Sequence, residues 1–151
     1  INELGSTLDF FNTFMAVSGI KSKSSLAQDS HDLSPVLLKK SPSPRSDFFY
    51  FSSFVPPRGT IYAVRKDNWK AHFFTSLEPD FSNPESIIKN NNPELYNLKD
   101  DPGVTKNLAN QFPNILESLI HHSESFSKTL KIAPNCYSEK ILSQERPEWA
   151  Q

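Results

Sequence analysis

The sequence predicts an α+β fold: a small antiparallel sheet of about four strands, followed by a C-terminal helix and preceded by another helix. Three observations predict it. An apolar pattern of helical period occupies residues 6–17, strand-like segments fill residues 47–75, and a second amphipathic pattern follows at residues 113–130. With 151 residues, the chain is long enough for one domain and a modest core.

The first predicted helix, residues 6–17, is apolar on more than one side. The apolar side chains of this helix, together with Leu4 just upstream, are Leu4, Leu8, Phe10, Phe11, Phe14, Met15 and Val17. Ser6 or Thr7 suits the start of the helix as a cap, and Gly19 lies where helices often end in a left-handed residue. We expect this helix to need cover on more than one side, so that the isolated chain is marginally stable or prone to aggregate.

Two polar stretches separate this helix from the sheet. Residues 21–29, rich in Ser and Lys, are expected to form a surface loop. Residues 41–45 are expected to form an extended linker, because residues before Pro avoid helical backbone. Between the two, residues 31–38 are predicted to form a turn and a short apolar segment.

The sheet is predicted to begin with residues 47–54, an aromatic strand. Residues 60–65 and 69–75 are predicted to pair as a hairpin across Lys66-Asp67-Asn68. Alternation along the second arm divides its side chains into two sets. One face takes Trp69, Ala71, Phe73 and Thr75, and the other takes Lys70, His72 and Phe74.

The rest of the chain is predicted to be irregular until the last helix, apart from one short strand at residues 95–98. Residues 78–93 are rich in Pro and Asn and are expected to be irregular. The final helix is predicted at residues 113–130, with Pro113 in its first turn and the tail from residue 133 loosely held. Its apolar stripe is Ile115, Leu116, Leu119, Ile120, Phe126 and Leu130.

Composition and charge exclude several classes of function. The net charge of −1, from 16 basic and 17 acidic residues, gives no basic face for nucleic acid. No apolar run approaches the length of a membrane span. Cys136 is the single cysteine, so it forms no internal disulfide and matches no metal-ligand spacing. The chain begins with Ile1 rather than Met, and we therefore expect a truncated start.

Several short motifs follow one another in a fixed order along residues 4–130. They are the helical stretch 8–19, His31-Asp32-Leu33-Ser34-Pro35-Val36-Leu37-Leu38, Ser43-Pro44-Arg45 with Phe48-Phe49-Tyr50, Val64-Arg65-Lys66-Asp67-Asn68-Trp69-Lys70-Ala71-His72-Phe73, and Leu95-Tyr96-Asn97-Leu98 with Asp101-Pro102-Gly103 and Asn107-Leu108. Together they resemble the C-terminal portion of the sulfatase family. Lys70-Ala71-His72-Phe73-Phe74-Thr75 is similar to the arylsulfatase A and galactosamine-6-sulfatase branch. Asn12 and Val104 depart from the family's usual Pro and Glu.

The resemblance implies a division of the chain. Residues 1–45, with the first helix, would be the tail end of the alkaline-phosphatase-like sulfatase catalytic domain. Residues 46–132 would be the C-terminal antiparallel-sheet domain with its terminal helix, and residues 133–151 a loosely held tail.

The resemblance also implies the chemistry of the intact parent enzyme. Sulfatases hydrolyse sulfate esters with a formylglycine made from the Cys of Cys-x-Pro-Ser-Arg, beside a Ca²⁺ ion held by Asp and Asn. Cys136 is followed by Tyr137-Ser138-Glu139-Lys140, which is not that motif. We therefore expect no catalytic residue, metal site or cofactor in this portion, whereas Ca²⁺ and formylglycine are implied for the parent.

His72 and Lys70 are the candidate substrate-rim residues. His72 either reaches toward the substrate cleft of the parent enzyme or is a half-buried strand histidine, hydrogen-bonded across the domain junction. Lys70 lies on the same strand face, and for it too both a role at the substrate cleft and a structural role at the domain junction remain open.

Other chemically suggestive residues are expected to be structural. Asp67-Asn68 and Asp100-Asp101 are predicted to lie in turns rather than in a calcium site. His121 and His122 cannot face one ligand, because adjacent helical residues diverge. The Trp and Phe side chains of the hairpin are expected in the core rather than in a sugar-binding platform.

We therefore expect a C-terminal fragment of an arylsulfatase-like sulfuric ester hydrolase, inactive alone, that supports the fold and shapes the rim of the substrate cleft. Its partners would be the remainder of the sulfatase chain and, in the parent, a sulfated sugar or lipid. The resemblance implies a lysosomal, periplasmic or secreted protein. The alternatives are a stand-alone non-catalytic module that binds a sulfated glycan or a protein, and a truncated gene model.

Overall fold

Four antiparallel strands in the order β1-β2-β3-β4 form the sheet of the computed structural model, which describes residues 3–20, 29–39, 41–51, 59–76 and 87–131. The elements, after a 3₁₀ turn at Thr7–Asp9, are α1 (Phe10–Val17), α2 (Ser34–Lys39), β1 (Asp47–Phe51), β2 (Ile61–Lys66), β3 (Trp69–Ser76), β4 (Ile87–Asn97) and α3 (Pro113–Ser127). The predicted α+β class is confirmed. The predicted loop at residues 21–29 and the tail from residue 133 lie almost entirely outside these ranges.

The hairpin of β2 and β3 forms as predicted, with Ala63 opposite His72 and Lys66 opposite Trp69. Its turn consists of Asp67 and Asn68 alone, because Lys66 belongs to β2. Asp67 has a φ of 52°, a left-handed conformation that Asp tolerates in tight turns. Its N–H donates a 2.9 Å hydrogen bond to the carbonyl of Ser46, which fixes the hairpin tip to the entry of β1.

Strand β4 is longer than predicted. The prediction that the chain stays irregular up to residue 93 is wrong, because pairing with β3 begins at Ile87. His72 lies opposite Glu94 and Phe74 lies opposite Lys89, so residues 90–93 form an irregularity between these pairs. The Asn and Pro residues are accommodated because β4 is at the edge of the sheet, where a missing N–H is tolerated.

The same irregularity changes the face of Phe74. Strict alternation places Phe74 with Lys70 and His72, but the register shifts between His72 and Phe74. Phe74 therefore packs against the same hydrophobic cluster as Phe73, and that part of the prediction is wrong.

The core lies between one face of the sheet and α3. Val64, Ala71 and Leu95 are completely buried at its centre, and Leu119 of α3 covers them. Around this centre pack Phe49, Trp69, Phe74, Ala109, Ile115, Leu116, Ile120 and Phe126. Helix α3 begins with Pro113 as predicted and ends at Ser127, before the predicted residue 130.

Helix α1 buries its polar side and exposes its apolar side. Asp9, just before the helix, and Thr13 are buried, whereas Phe10, Phe14 and Val17 are each more than half exposed. Ser6 caps the 3₁₀ turn that leads into α1: its side chain accepts a hydrogen bond from the N–H of Leu8 in a capping box with Asp9. The α-helix itself begins at Phe10, later than predicted, and Gly19 after its end has the predicted left-handed conformation, with a φ of 70°. Helix α2 adds exposed Leu37 and Leu38.

We call the exposed side chains Leu8, Phe10, Phe11, Phe14, Val17, Leu37 and Leu38 the apolar patch. Burying each such side chain is worth about 1.5–3 kcal/mol relative to leaving it exposed. The sequence predicts that this helix needs cover on more than one side, and the structure leaves its apolar side chains exposed.

A buried ion pair holds the polar side of α1 in place. The Asp9 carboxylate is fully buried and accepts hydrogen bonds from Nε and Nη2 of Arg45 and from the backbone N–H groups of Ser6 and His31. Burial raises the pKa of Asp9, but these hydrogen bonds outweigh it and hold the pKa below its ordinary value. The pair connects the start of α1 to the linker that enters β1.

Val104 is a point of backbone strain. Its φ of 57° is a genuine outlier for a β-branched residue, because the side chain crowds the backbone in left-handed conformations. We expect Val104→Gly to raise the free energy of unfolding by about 0.5–1 kcal/mol in urea titrations. Val104→Ala is the control because it keeps the Cβ atom. Equal stability of the two variants would contradict the assignment of strain.

Candidate functional site

The sheet presents a second face, opposite α3, that carries both sequence-predicted rim residues. In antiparallel pairs, residues directly opposite each other project to the same side. The register therefore groups Phe48, Tyr50, Ala63, Arg65, Lys70, His72, Glu94 and Tyr96, which we call the His72 face. It is rich in aromatic rings and cations, in contrast to the aliphatic centre of the core.

The imidazole of His72 lies between two tyrosine rings. Its centroid is 6.1 Å from that of Tyr62 on β2 and 5.5 Å from that of Tyr96 on β4, the latter in an edge-on arrangement. Nε2 is buried and has no hydrogen-bond partner among the residues that the structure describes. Such an atom normally has a partner, so a group from elsewhere is expected to supply one.

His72 is held in its neutral form. Burial lowers the pKa of His72, the nearby Lys70 lowers it further, and Glu94 opposes both by raising it. The net shift is downward, so the ring is uncharged at neutral pH. A neutral ring offers one donor and one acceptor nitrogen.

Lys70 supplies a cation to the same face. Its Nζ atom lies 4.8 Å from the centroid of the Tyr50 ring, a cation–π distance. Burial lowers the pKa of Lys70, and Arg65 on the neighbouring strand lowers it further. Arg65 itself turns toward the hairpin, where its Nε donates to the carbonyl of Asp67 at 3.1 Å.

Two further residues of this face were missed by sequence reasoning. The Tyr96 hydroxyl donates to Oε2 of Glu94 at 3.0 Å, and Glu94 lies directly opposite His72. Burial raises the pKa of Tyr96 to about 12, with Glu94 adding to the shift. The available signal is that Glu94 and Tyr96 are two residues apart and so share a strand face, but the predicted strand begins only at Leu95 and leaves Glu94 out.

The Asp-containing pairs that the sequence places in turns do lie at turns. Asp67 and Asn68 form the exposed hairpin tip. Asp101 accepts hydrogen bonds from the N–H groups of Thr105 and Lys106, which lower its pKa in its own turn. Over the described stretches, no group of three His, Cys, Asp or Glu side chains could hold a metal ion. Cys136 lies outside those stretches.

The two adjacent histidines of α3 diverge, as predicted. His121 is exposed, whereas Nε2 of His122 lies 2.7 Å from Oδ2 of Asp47. The His122 ring also lies against Phe49, with the centroids 5.1 Å apart. His122 thus connects α3 to β1 and belongs to the packing of the domain.

The hairpin aromatics pack as core residues. Trp69 lies against the hydrophobic cluster, with its ring centroid 5.1 Å from that of Phe112. A separate cavity of about 690 Å³ lies between α3 and the sheet, with Lys89, Glu124 and Lys128 among its lining residues. Because basic and acidic side chains both line this cavity, its charge does not indicate a class of ligand. No helix in the described part of the chain is long and apolar enough to cross a membrane.

Comparison with known protein families and curated proteins gives a consistent result. The family profile described as the C-terminal region of aryl-sulfatase matches residues 43–151. Arylsulfatase A of Homo sapiens is 34% identical over 130 residues, covering 78% of this chain and 25% of that protein. N-acetylgalactosamine-6-sulfatase of Mus musculus is 34% identical over 74 residues, covering 49% of this chain and 13% of that protein. The chain thus spans a quarter or less of these two relatives.

Solved structures share the fold. The PsFucS1 sulfatase from Pseudoalteromonas sp. superposes with a TM-score of 0.65 at 22% identity, over 89% of this chain and 27% of that one. A structure described under the metabolism of multiple glycosaminoglycans by Bacteroides thetaiotaomicron gives a TM-score of 0.59 at 25% identity, over 83% and 25% of the two chains.

Proposed function

This chain belongs to the sulfatase family and matches the C-terminal region of the aryl-sulfatases, and we propose that it is the supporting portion of a sulfuric ester hydrolase. It completes the fold and shapes the rim of the substrate cleft, while the nucleophile and the metal site lie elsewhere. In this proposal residues 1–45 end the catalytic domain, residues 46–132 form the C-terminal domain and residues 133–151 its tail. The start of the family match at residue 43 supports the first boundary.

The observation that carries the proposal is the orientation of α1. Its buried side is polar and is used within the chain: Thr13 accepts a hydrogen bond from the N–H of Leu33, and Asp9 binds Arg45. Its apolar side stays exposed together with Leu37 and Leu38. The occupant of this apolar patch is the preceding part of the catalytic domain, since the match covers 78% of this chain but only 25% of arylsulfatase A.

The substrate side of the proposal rests on the His72 face. A sulfate ester is an anion, which the Lys70 ammonium attracts. Nε2 of the neutral His72 ring is buried and has no partner among the described residues, so in this proposal it becomes accessible and forms a hydrogen bond when the substrate binds. We place both side chains at the rim, where they contact a sulfated sugar or lipid headgroup beyond the ester that is cleaved. By its family, we also propose that the intact protein is lysosomal, periplasmic or secreted.

The family's cofactors do not fit the residues described in this chain. A calcium site needs several oxygen ligands on one ion, and the described acidic side chains form no such cluster. The sequence around Cys136 differs from the motif converted to formylglycine. In this proposal both groups belong to the rest of the intact enzyme.

The rim assignment predicts a selective loss of activity. In the full-length protein, His72→Ala is expected to lower kcat/KM for a sulfated disaccharide about 10- to 100-fold, the effect of losing a hydrogen bond to a charged group. The rate with 4-nitrophenyl sulfate, which has no sugar to reach the rim, should change little. Steady-state kinetics with both substrates, and with Lys99→Met at an exposed turn as control, measure this.

Equal losses on both substrates, or unchanged kinetics with a lowered melting temperature, would contradict the rim role. The second pattern would instead identify His72 as a junction residue that is hydrogen-bonded to the catalytic domain. Tight binding of a sulfated glycan by the isolated chain would favour the stand-alone module.

A further inference from the structure

We propose that Glu94 and Tyr96 are positioning residues that fix the ring of His72 at the rim. The inference rests on the proposed function, because it concerns the side chain that the function places against the substrate. It adds two residues that act through His72 and do not contact the substrate themselves.

The strand order confines the His72 ring from both sides. Strand β3 lies between β2 and β4, so Tyr62 and Tyr96 flank His72 from opposite neighbours. Tyr96 pairs with Lys70 and reaches His72 diagonally, within the range of an aromatic side chain. Two rings of this size leave the imidazole few rotamers, which holds Nε2 in one direction.

The Glu94–Tyr96 hydrogen bond then fixes the Tyr96 ring. Tyr96 is only 8% exposed, so its hydroxyl needs a partner, and the 3.0 Å bond to Oε2 of Glu94 supplies one. Nε2 of His72 has no hydrogen-bond partner within the described ranges. Because the tyrosine hydroxyl is bound to Glu94, it leaves the histidine nitrogen to a partner from outside the described residues.

Charge is balanced around the ring by neighbours on two strands. Lys70 lies two residues away on β3, and Glu94 lies opposite on β4, while Tyr96 is neutral at physiological pH. Burial keeps His72 uncharged, and Glu94 limits how far its pKa falls. Removing the Glu94 charge is therefore expected to lower the pKa of His72, which a titration can measure directly.

The test compares four single variants of the full-length protein and the double variant Glu94→Gln/Tyr96→Phe. Glu94→Gln keeps the shape of the side chain and removes its charge, and Tyr96→Phe keeps the ring and removes the hydroxyl. His72→Gln removes the imidazole. Glu117→Gln, at an exposed position of α3, is the matched control. NMR titration of histidine-labelled protein follows the His72 signal, identified by its absence in His72→Gln. The kinetics use a sulfated disaccharide and 4-nitrophenyl sulfate.

Glu94→Gln is expected to lower the pKa of His72, and Glu117→Gln to leave it unchanged. Glu94→Gln and Tyr96→Phe should each raise KM for the disaccharide about 3- to 10-fold with little change in kcat. The double variant should be no worse than either single one, because the two residues act as a unit.

The outcomes separate the two claims. If His72→Gln impairs the disaccharide reaction but Glu94→Gln and Tyr96→Phe leave its KM unchanged, the positioning role is overturned and the rim role stands. If His72→Gln itself leaves the disaccharide reaction unchanged, the rim role fails, and the positioning role fails with it.

Discussion

Asp9→Asn is expected to lower the free energy of unfolding by about 3–5 kcal/mol, the range for breaking a buried ion pair by removing one partner. Asp9 is fully buried, and the side chain of Arg45 is only 9% exposed. The substitution leaves the guanidinium without its counter-charge and places an amide N–H₂ among the donors that Asp9 accepts from. Urea unfolding monitored by circular dichroism measures the change, with Glu117→Gln as an exposed carboxylate control.

Two further comparisons sharpen this prediction. Pairing Asp9→Asn with Arg45→Met should cost less than the two single substitutions added together, because it removes the orphaned charge. Because the folded pKa of Asp9 lies below its unfolded value, its stabilisation is complete above the unfolded pKa and is lost as pH falls through the folded pKa. The wild-type chain should therefore lose more stability on acidification than Asp9→Asn. Parallel pH profiles would contradict the account.

The second large effect concerns the apolar patch. The double substitution Phe10→Ser/Phe14→Ser is expected to destabilise the full-length protein by several kcal/mol, because burying each Phe is worth about 1.5–3 kcal/mol. In the isolated chain both rings are already more than half exposed, so unfolding there should change by less than about 1 kcal/mol. Association of the isolated chain, measured by light scattering, should decrease.

Leu95→Ala provides the matched core control. Leu95 is completely buried in the sheet core, so its truncation should cost about 2–5 kcal/mol in both the isolated chain and the full-length protein. If the Phe10→Ser/Phe14→Ser variant instead behaved alike in the two forms, the patch would not be a docking surface for the catalytic domain.

Local signals predicted much of this fold. The cap at Ser6, Pro113 at the start of α3 and the β2–β3 hairpin are each set by residues within a few positions of one another. The extent of β4 was not predictable in this way. Asn and Pro disfavour strands locally, and only pairing with β3 reveals that the strand begins at Ile87.

Periodicity located the apolar side of α1 but could not reveal which side the chain itself buries. That choice depends on Arg45, which lies 36 positions after Asp9 and recruits its carboxylate into the interior. The candidate site likewise combines residues that local sequence identifies with one that only a distant contact reveals. His72 and Lys70 could be selected from one strand, whereas Glu94 joins them only through the register of β3 with β4.

Sequencing the transcript upstream of the Ile1 codon tests whether this chain is one portion of a larger sulfatase. If this chain is the supporting portion of an aryl-sulfatase, the same reading frame continues upstream and encodes Cys-x-Pro-Ser-Arg with the Asp and Asn residues of a calcium site. An initiation codon directly before Ile1, preceded by an in-frame stop, would contradict the account and leave the chain a module of its own.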